Sequence, residues 1–301
     1  MTRVHPQLAA FMLVAGSMLA GCSTYLGPGP AEDPGEQRYA IDRVVEDIVY
    51  TPGDWPQVLA GDLYLPARRG KLPVVLAVHG GGWANRSRED MEDVSRKLAQ
   101  HGYAVFNIGY RFAPRYTYPA QLHDLQQALR WLAANASRYR FDLERVNTWG
   151  YSSGAHLAAL LGSYEEADGG ENLPRVNAVV AGGTPSDLRK YSDSPIVMRF
   201  MGGDRDEMPD RYADASPVRH ITAGDPPVFL YHGKLDFLVT TDQATDYYEA
   251  LRAAGIDAEL YLQSWRGHMS MFLFGGDAED RAIEFLNRQN STRMISSADR
   301  D

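Results

Sequence analysis

The sequence predicts an α/β fold, a mostly parallel eight-stranded sheet covered by helices on both faces. Three observations predict it. From about Val44 onward, short runs rich in β-branched residues alternate with longer segments of helical period, the pattern of strands joined by crossover helices. With 301 residues, 44% of them hydrophobic and 11% aromatic, the chain is long and apolar enough to bury a large core. Short strands bounded by Gly, Pro and Asp recur along the whole stretch.

The predicted strands run from Val44 to Tyr50, Val58 to Leu65, Val74 to His79, Tyr103 to Ile108, Val146 to Trp149, Val176 to Ala181, Val228 to His232 and Ala258 to Leu262. No helix separates the first two, so they are expected to pair antiparallel at an edge. Predicted helices cover Arg88 to Gln100, Pro119 to Ala134, Ser153 to Ser163, Asp242 to Ala254 and Asp277 to Asn287. This domain is assigned to residues 41–289. Within it, residues 184–225 lose the alternation and turn rich in Gly, Pro, Asp and Arg, which reads as a lid-like insert. Its Met198, Phe200 and Met201 either line a pocket or are buried beneath a loop. Residues 290–301 read as a disordered polar tail.

The first 40 residues have a different character. Arg3 precedes an almost wholly apolar run from Leu8 to Leu19, and Leu19-Ala20-Gly21-Cys22 follows, with small residues just before the cysteine. This is the layout of a secretory signal, and the run is shorter than the roughly 20 residues that span a bilayer. The segment around Cys22 resembles the bacterial lipobox. The resemblance implies a lipoprotein signal peptide over residues 1–21, lipidation of Cys22, and anchoring in the cell envelope, at the outer membrane facing the periplasm because Ser23 follows the cysteine. Residues 22–40 are assigned to a flexible tether, rich in Pro and Gly over Tyr25 to Glu36. Cys22 is the only cysteine, which excludes an intrachain disulfide framework and a cysteine metal site. The formal charge of −9 argues against nucleic acid as a partner.

Chemistry is written in four places. Gly150-Tyr151-Ser152-Ser153-Gly154 lies between a predicted strand and a predicted helix. There the pattern resembles the nucleophile turn of α/β-hydrolases, which hold nucleophile, acid and histidine in that chain order. A serine hydroxyl needs a base within hydrogen-bond reach, itself oriented by an acid. Of the eight histidines only His268 lies beyond the last predicted strand, which makes it the candidate base. Asp236 leaves the end of the strand Val228 to His232 and is the candidate acid. Asp187, after an earlier strand, is the alternative; otherwise it is a turn residue. Finally, His79-Gly80-Gly81-Gly82-Trp83 directly follows a strand, and its glycines allow a tight loop whose amide N–H groups converge on one point. Gly81 and Gly82 from this loop, with Ser153 after the nucleophile, are the expected oxyanion hole. Trp83 either faces the substrate pocket or caps the core, and Arg111 with Asp124 reads as a structural ion pair in preference to a substrate clamp. His232 is expected as a buried core residue.

Together with Gly109-Tyr110-Arg111-Phe112-Ala113-Pro114 and the extended run Gly150 to Ala158, these motifs resemble the carboxylesterases of the hormone-sensitive-lipase branch and related bacterial esterase and feruloyl-esterase-like proteins. Tyr151 stands where that branch usually has an acidic residue, and Ala155 where it has glycine. The resemblance implies the α/β-hydrolase fold and hydrolysis of a small-molecule ester through an acyl-enzyme on Ser152, without metal or organic cofactor. The Gly-Gly-Gly-Trp form also resembles arylformamidases, so amide hydrolysis with the same triad stands as the alternative, followed by a non-catalytic envelope binding protein.

Overall fold

A computed structural model describes residues 23–29, 38–163 and 173–298; the apolar run Leu8 to Leu19 and Cys22 lie outside them. The strands are β1 (Ser23–Leu26), β2 (Ile41–Val49), β3 (Ala60–Pro66), β4 (Leu72–Val78), β5 (Ala104–Ile108), β6 (Phe141–Tyr151), β7 (Val176–Gly182), β8 (Val228–Gly233) and β9 (Ala258–Gln263). They form one sheet in the order β1-β9-β8-β7-β6-β4-β5-β3-β2. Pairing is parallel from β5 through β4, β6, β7 and β8 to β9. The expected edge hairpin of β2 with β3 is antiparallel, and β3 is also antiparallel to β5.

The helices of six residues or more are α1 (Glu92–Gln100), α2 (Ala120–Ala134), α3 (Ser153–Ser163), α4 (Pro195–Met201), α5 (Pro209–Asp214), α6 (Asp242–Ala253), α7 (His268–Leu273) and α8 (Asp277–Ala298). The wholly buried strand β4 shows why the sheet needs cover on both sides. Val74, Leu76 and Val78 join one core with Leu122, Leu125, Leu157 and Leu160, whereas Val75 and Ala77 join another with Leu98, Ile283 and Leu286. Alternate residues of a strand point to opposite faces, so an unbroken apolar run fits only between two layers. On one side lie α2, α3 and α6, on the other α1 and α8.

Three expectations change. The tether assigned to residues 22–40 contains a ninth strand: Ser23–Leu26 adds antiparallel to β9, with Ser23 opposite Gln263 and Leu26 opposite Leu260. Its partner contact is chemical as well as geometric, because the Tyr25 hydroxyl donates to the buried carboxylate of Glu259, which Arg288 also engages at 2.6 Å. The tail assigned to 290–301 instead continues α8 to Ala298. Asn290 explains the extension: it is buried, its Oδ1 accepts from Asn177 at 3.1 Å, and its amide donates to Tyr103 Oη at 3.2 Å. The lid-like insert 184–225 carries α4 and α5 and buries Phe200, Met201 and Tyr212 in the core, so it is built into the domain.

Candidate active site

The carboxyl ends of β4, β6, β8 and β9 deliver the site. Ser152 sits in the sharp turn between β6 and α3 with φ +55°, a left-handed conformation that costs a non-glycine residue on the order of 1 kcal/mol. The turn is held by the Ser152 N–H, which donates to Gly182 O at 2.7 Å, and by close backbone approach. A Cβ on Gly150 would lie 2.3 Å from Gly154 C, and one on Gly154 would lie 2.2 Å from Val78 O. Both motif glycines are therefore required by contact, independent of chemistry.

His268 opens α7, and its ring bridges the two other groups. Nδ1 lies 2.6 Å from Asp236 Oδ2, and Nε2 lies 2.9 Å from Ser152 Oγ. With the Nδ1 proton donated to the carboxylate, Nε2 is left to accept from the serine hydroxyl. Asp236 is itself oriented: its Oδ1 accepts from the backbone N–H of Leu238 at 3.0 Å and of Val239 at 2.8 Å. Burial pushes this carboxyl's pKa up, but the hydrogen bonds from His232 and His268 and the Val239 N–H outweigh it, leaving the carboxyl well below its usual range. Asp187 is elsewhere, paired with Arg189 at 2.7 Å and capping a short helical turn, so it is not the group that faces His268.

Gly80, Gly81 and Gly82 line one pocket with Ser152, Ser153 and His268. Gly81 has φ +118°, and a Cβ there would lie 2.1 Å from Asn85 O; its own carbonyl accepts from the N–H groups of Ala84 and Asn85, both at 3.2 Å, which fixes the loop. Ser153 is the first residue of α3, where a backbone N–H has no partner within the helix. The cavity measures about 230 Å³, and its apolar wall comes from Ile196, Val197, Leu238, Val239 and Phe272.

Of the two readings of Met198, Phe200 and Met201, burial holds: Phe200 and Met201 are fully buried, and α4 presents Ile196 and Val197 to the pocket in their place. Trp83 serves both of its expected roles unequally. It borders the cavity but is 2% exposed, its ring stacked on Phe200 at 4.3 Å and its Nε1–H donated to His156 Nδ1 at 3.2 Å. His156 in turn donates Nε2–H to Ala215 O at 2.7 Å, so both ring nitrogens are committed to the neutral form, and burial lowers its pKa to about 4. Arg111 and Asp124 form the expected buried ion pair at 2.8 Å, with the guanidinium between the rings of Trp55 and Tyr116. Tyr151, a departure from the family motif, has a structural partner here. Its hydroxyl donates to His268 O at 2.6 Å, which ties the end of β6 to the start of α7. His232 is buried as expected, and it also reaches the acid, Nε2 lying 2.7 Å from Val239 O and 3.3 Å from Asp236 Oδ2.

The family model BD-FAE matches residues 61–251, more than half of the chain. The chain belongs to the BD-FAE family. The matched stretch of this BD-FAE protein includes the glycine loop, Ser152 and Asp236 and ends before His268, whose Nε2 lies 2.9 Å from Ser152 Oγ. Among curated relatives, the probable carboxylic ester hydrolase LipM of Mycobacterium tuberculosis is 31% identical over 212 residues, 64% of this chain and 48% of LipM. The esterase LipC of the same organism is 30% identical over 243 residues, 73% of this chain and 59% of LipC. The chain thus spans about half to three-fifths of the length of these relatives. A solved structure described as a truncated carbohydrate esterase from gut microbiota superposes with a TM-score of 0.74 at 23% identity, covering 88% of this chain and all of that one. The BD-FAE chain has the α/β-hydrolase fold.

Proposed function

We propose that this chain is a serine carboxylesterase that hydrolyses small carboxylic esters through an acyl-enzyme on Ser152. The observation that carries the reading is the continuous hydrogen-bonded series from Asp236 through His268 to Ser152, opening into the glycine-lined cavity. In this reading Ser152 Oγ attacks the ester carbonyl carbon as His268 Nε2 takes its proton. The negative charge that develops on the carbonyl oxygen is met by the N–H groups of Gly81, Gly82 and Ser153. Collapse expels the alcohol, which leaves with the proton from His268; water, deprotonated by the same ring, then releases the acid and restores the serine. Asp236 holds the ring in the tautomer that leaves Nε2 free and stabilises the imidazolium.

Hydrolysis of p-nitrophenyl acetate and butyrate is the direct test. The Ser152→Ala chain should lose on the order of a thousandfold or more in kcat. Equal rates in the two chains would sink the assignment. The reading extends to location: Leu8 to Leu19 followed by Leu19-Ala20-Gly21-Cys22 supports a chain held in a bacterial envelope membrane by lipid on Cys22, on the periplasmic face of the outer membrane. Mass spectrometry of the membrane-purified protein should find an acylated N-terminal peptide beginning at Cys22, and an unmodified peptide there would remove this part.

A further inference from the structure

We propose that the catalytic end of the sheet docks on a lipid bilayer, with the active-site mouth facing the membrane. The proposal rests on the reading of Cys22 as the anchored residue, and it adds the orientation of the domain. Two independent features point the same way.

The first is where the anchor joins the fold. β1 begins at Ser23, the residue after Cys22, and Ser23 pairs with Gln263, the last residue of β9. β9 runs parallel to β8, β7, β6 and β4, and the carboxyl ends of β4, β6, β8 and β9 deliver the glycine loop and the Ser152, Asp236 and His268 side chains. The chain therefore enters the sheet beside its catalytic end, and the strand pairing leaves no long tether at that point. A lipid on Cys22 holds this end nearest the bilayer.

The second is what that end displays. Phe237 is 89% exposed and Trp265 is 71% exposed, and Leu238, Met269, Leu273 and Phe274 are exposed with them. The loops that carry them are joined: Leu235 N–H donates to Arg266 O at 2.9 Å, the Arg266 guanidinium covers the Phe274 ring, and Leu238 and Met269 border the catalytic cavity. The result is an apolar rim around the mouth rather than scattered side chains, which is the kind of patch that marks a binding surface. Lys234 and Arg266 stand within it on a chain of net charge −9, and Lys234 Nζ reaches Thr24 Oγ1 of β1 at 2.9 Å. Aromatic and leucine side chains flanked by cations suit the boundary between acyl chains and phosphate headgroups. An ester dissolved in the bilayer then meets the cavity without crossing water.

The test uses the full chain in vesicles of phosphatidylethanolamine and phosphatidylglycerol. Phe237→Cys and Trp265→Cys, neither in the cavity wall, are each labelled with a polarity-sensitive dye. Lys71→Cys, at the opposite end of the sheet, is the control, and the unsubstituted chain carried through the same labelling subtracts any dye on Cys22. Dye emission should shift to the blue at 237 and 265 when vesicles are present and stay unchanged at 71. Stable partition into vesicles without a shift at 237 and 265 overturns the docking and spares the anchor, whereas failure to partition removes both. A shift caused by soluble xylan, or by raising protein concentration, and not by vesicles would assign the rim to a polysaccharide or to a second copy and overturn the proposal. Hydrolysis of p-nitrophenyl butyrate by the same samples certifies folding and reports on the esterase reading separately.

Discussion

Tyr151 does at the residue scale what its motif position does not announce. Its phenol is buried, and its hydrogen bond to His268 O ties the first residue of α7, the histidine, to the end of β6. Tyr151→Phe keeps the packing and deletes the bond, so a loss of about tenfold in kcat with KM little changed is expected from steady-state kinetics. Asp236→Asn acts more severely, since an amide that donates to Nδ1 reverses the tautomer; a fall of about a thousandfold or more in kcat with near-normal KM is the expected outcome. Unchanged kcat in either chain would show that the ring is positioned by something else. Beneath the site, His156 joins the glycine loop to the lower core by accepting from Trp83 and donating to Ala215. Nothing in the pattern of the sequence separates such a histidine from a surface one, because its two partners lie 73 and 59 residues away.

Among the elements, β1 departs most from its reading. Four residues ahead of a Gly- and Pro-containing stretch carry no periodic signal of their own; their strand conformation comes from the free edge of β9 and from Glu259, which needs a donor once buried. Tyr25→Phe should therefore lower the urea midpoint by an amount equivalent to about 1 kcal/mol, measured at fixed pH against the parent chain. The interior strands, by contrast, were legible in place and order, since a run such as Val74 to Val78 has no other way to be buried, although β6 extends to Phe141 and Tyr151, well beyond the predicted Val146 to Trp149. The grouping of Ser152, Asp236 and His268 was legible for a related reason: chain order and strand ends leave His268 and Asp236 few competitors. The cavity wall was not. Which side of α4 faces the serine depends on how Ser194 caps that helix and how Phe200 stacks on Trp83, both of them long-range outcomes of folding. The end of α8 was missed because polar Asn290 finds its partners far along the chain, in β6, in β7 and at Tyr103 just before β5.

For the whole molecule, two buried histidines make stability a function of acidity. Burial lowers the pKa of His79 and of His156 from 6.5 to about 4. Between those values the unfolded chain binds two protons that the folded chain refuses, so stability is complete above about pH 6.5 and is lost as the pH falls toward 4. Each histidine is worth roughly 3 kcal/mol across that window, which together rivals the total stability of an ordinary domain. Urea midpoints should fall steeply from pH 6.5 to 4.5, and a flat profile would refute the neutral assignment. Below about pH 3.8 the depressed Asp236 adds a further loss in the same direction. The pairing of β1 with β9 has a kinetic side as well. It joins positions 234 residues apart in the chain, so it is among the last contacts that folding can close. A four-residue edge strand is also among the first to open by local fluctuation. Until Ser23–Leu26 reaches β9, that edge stays uncovered and free to recruit a foreign strand.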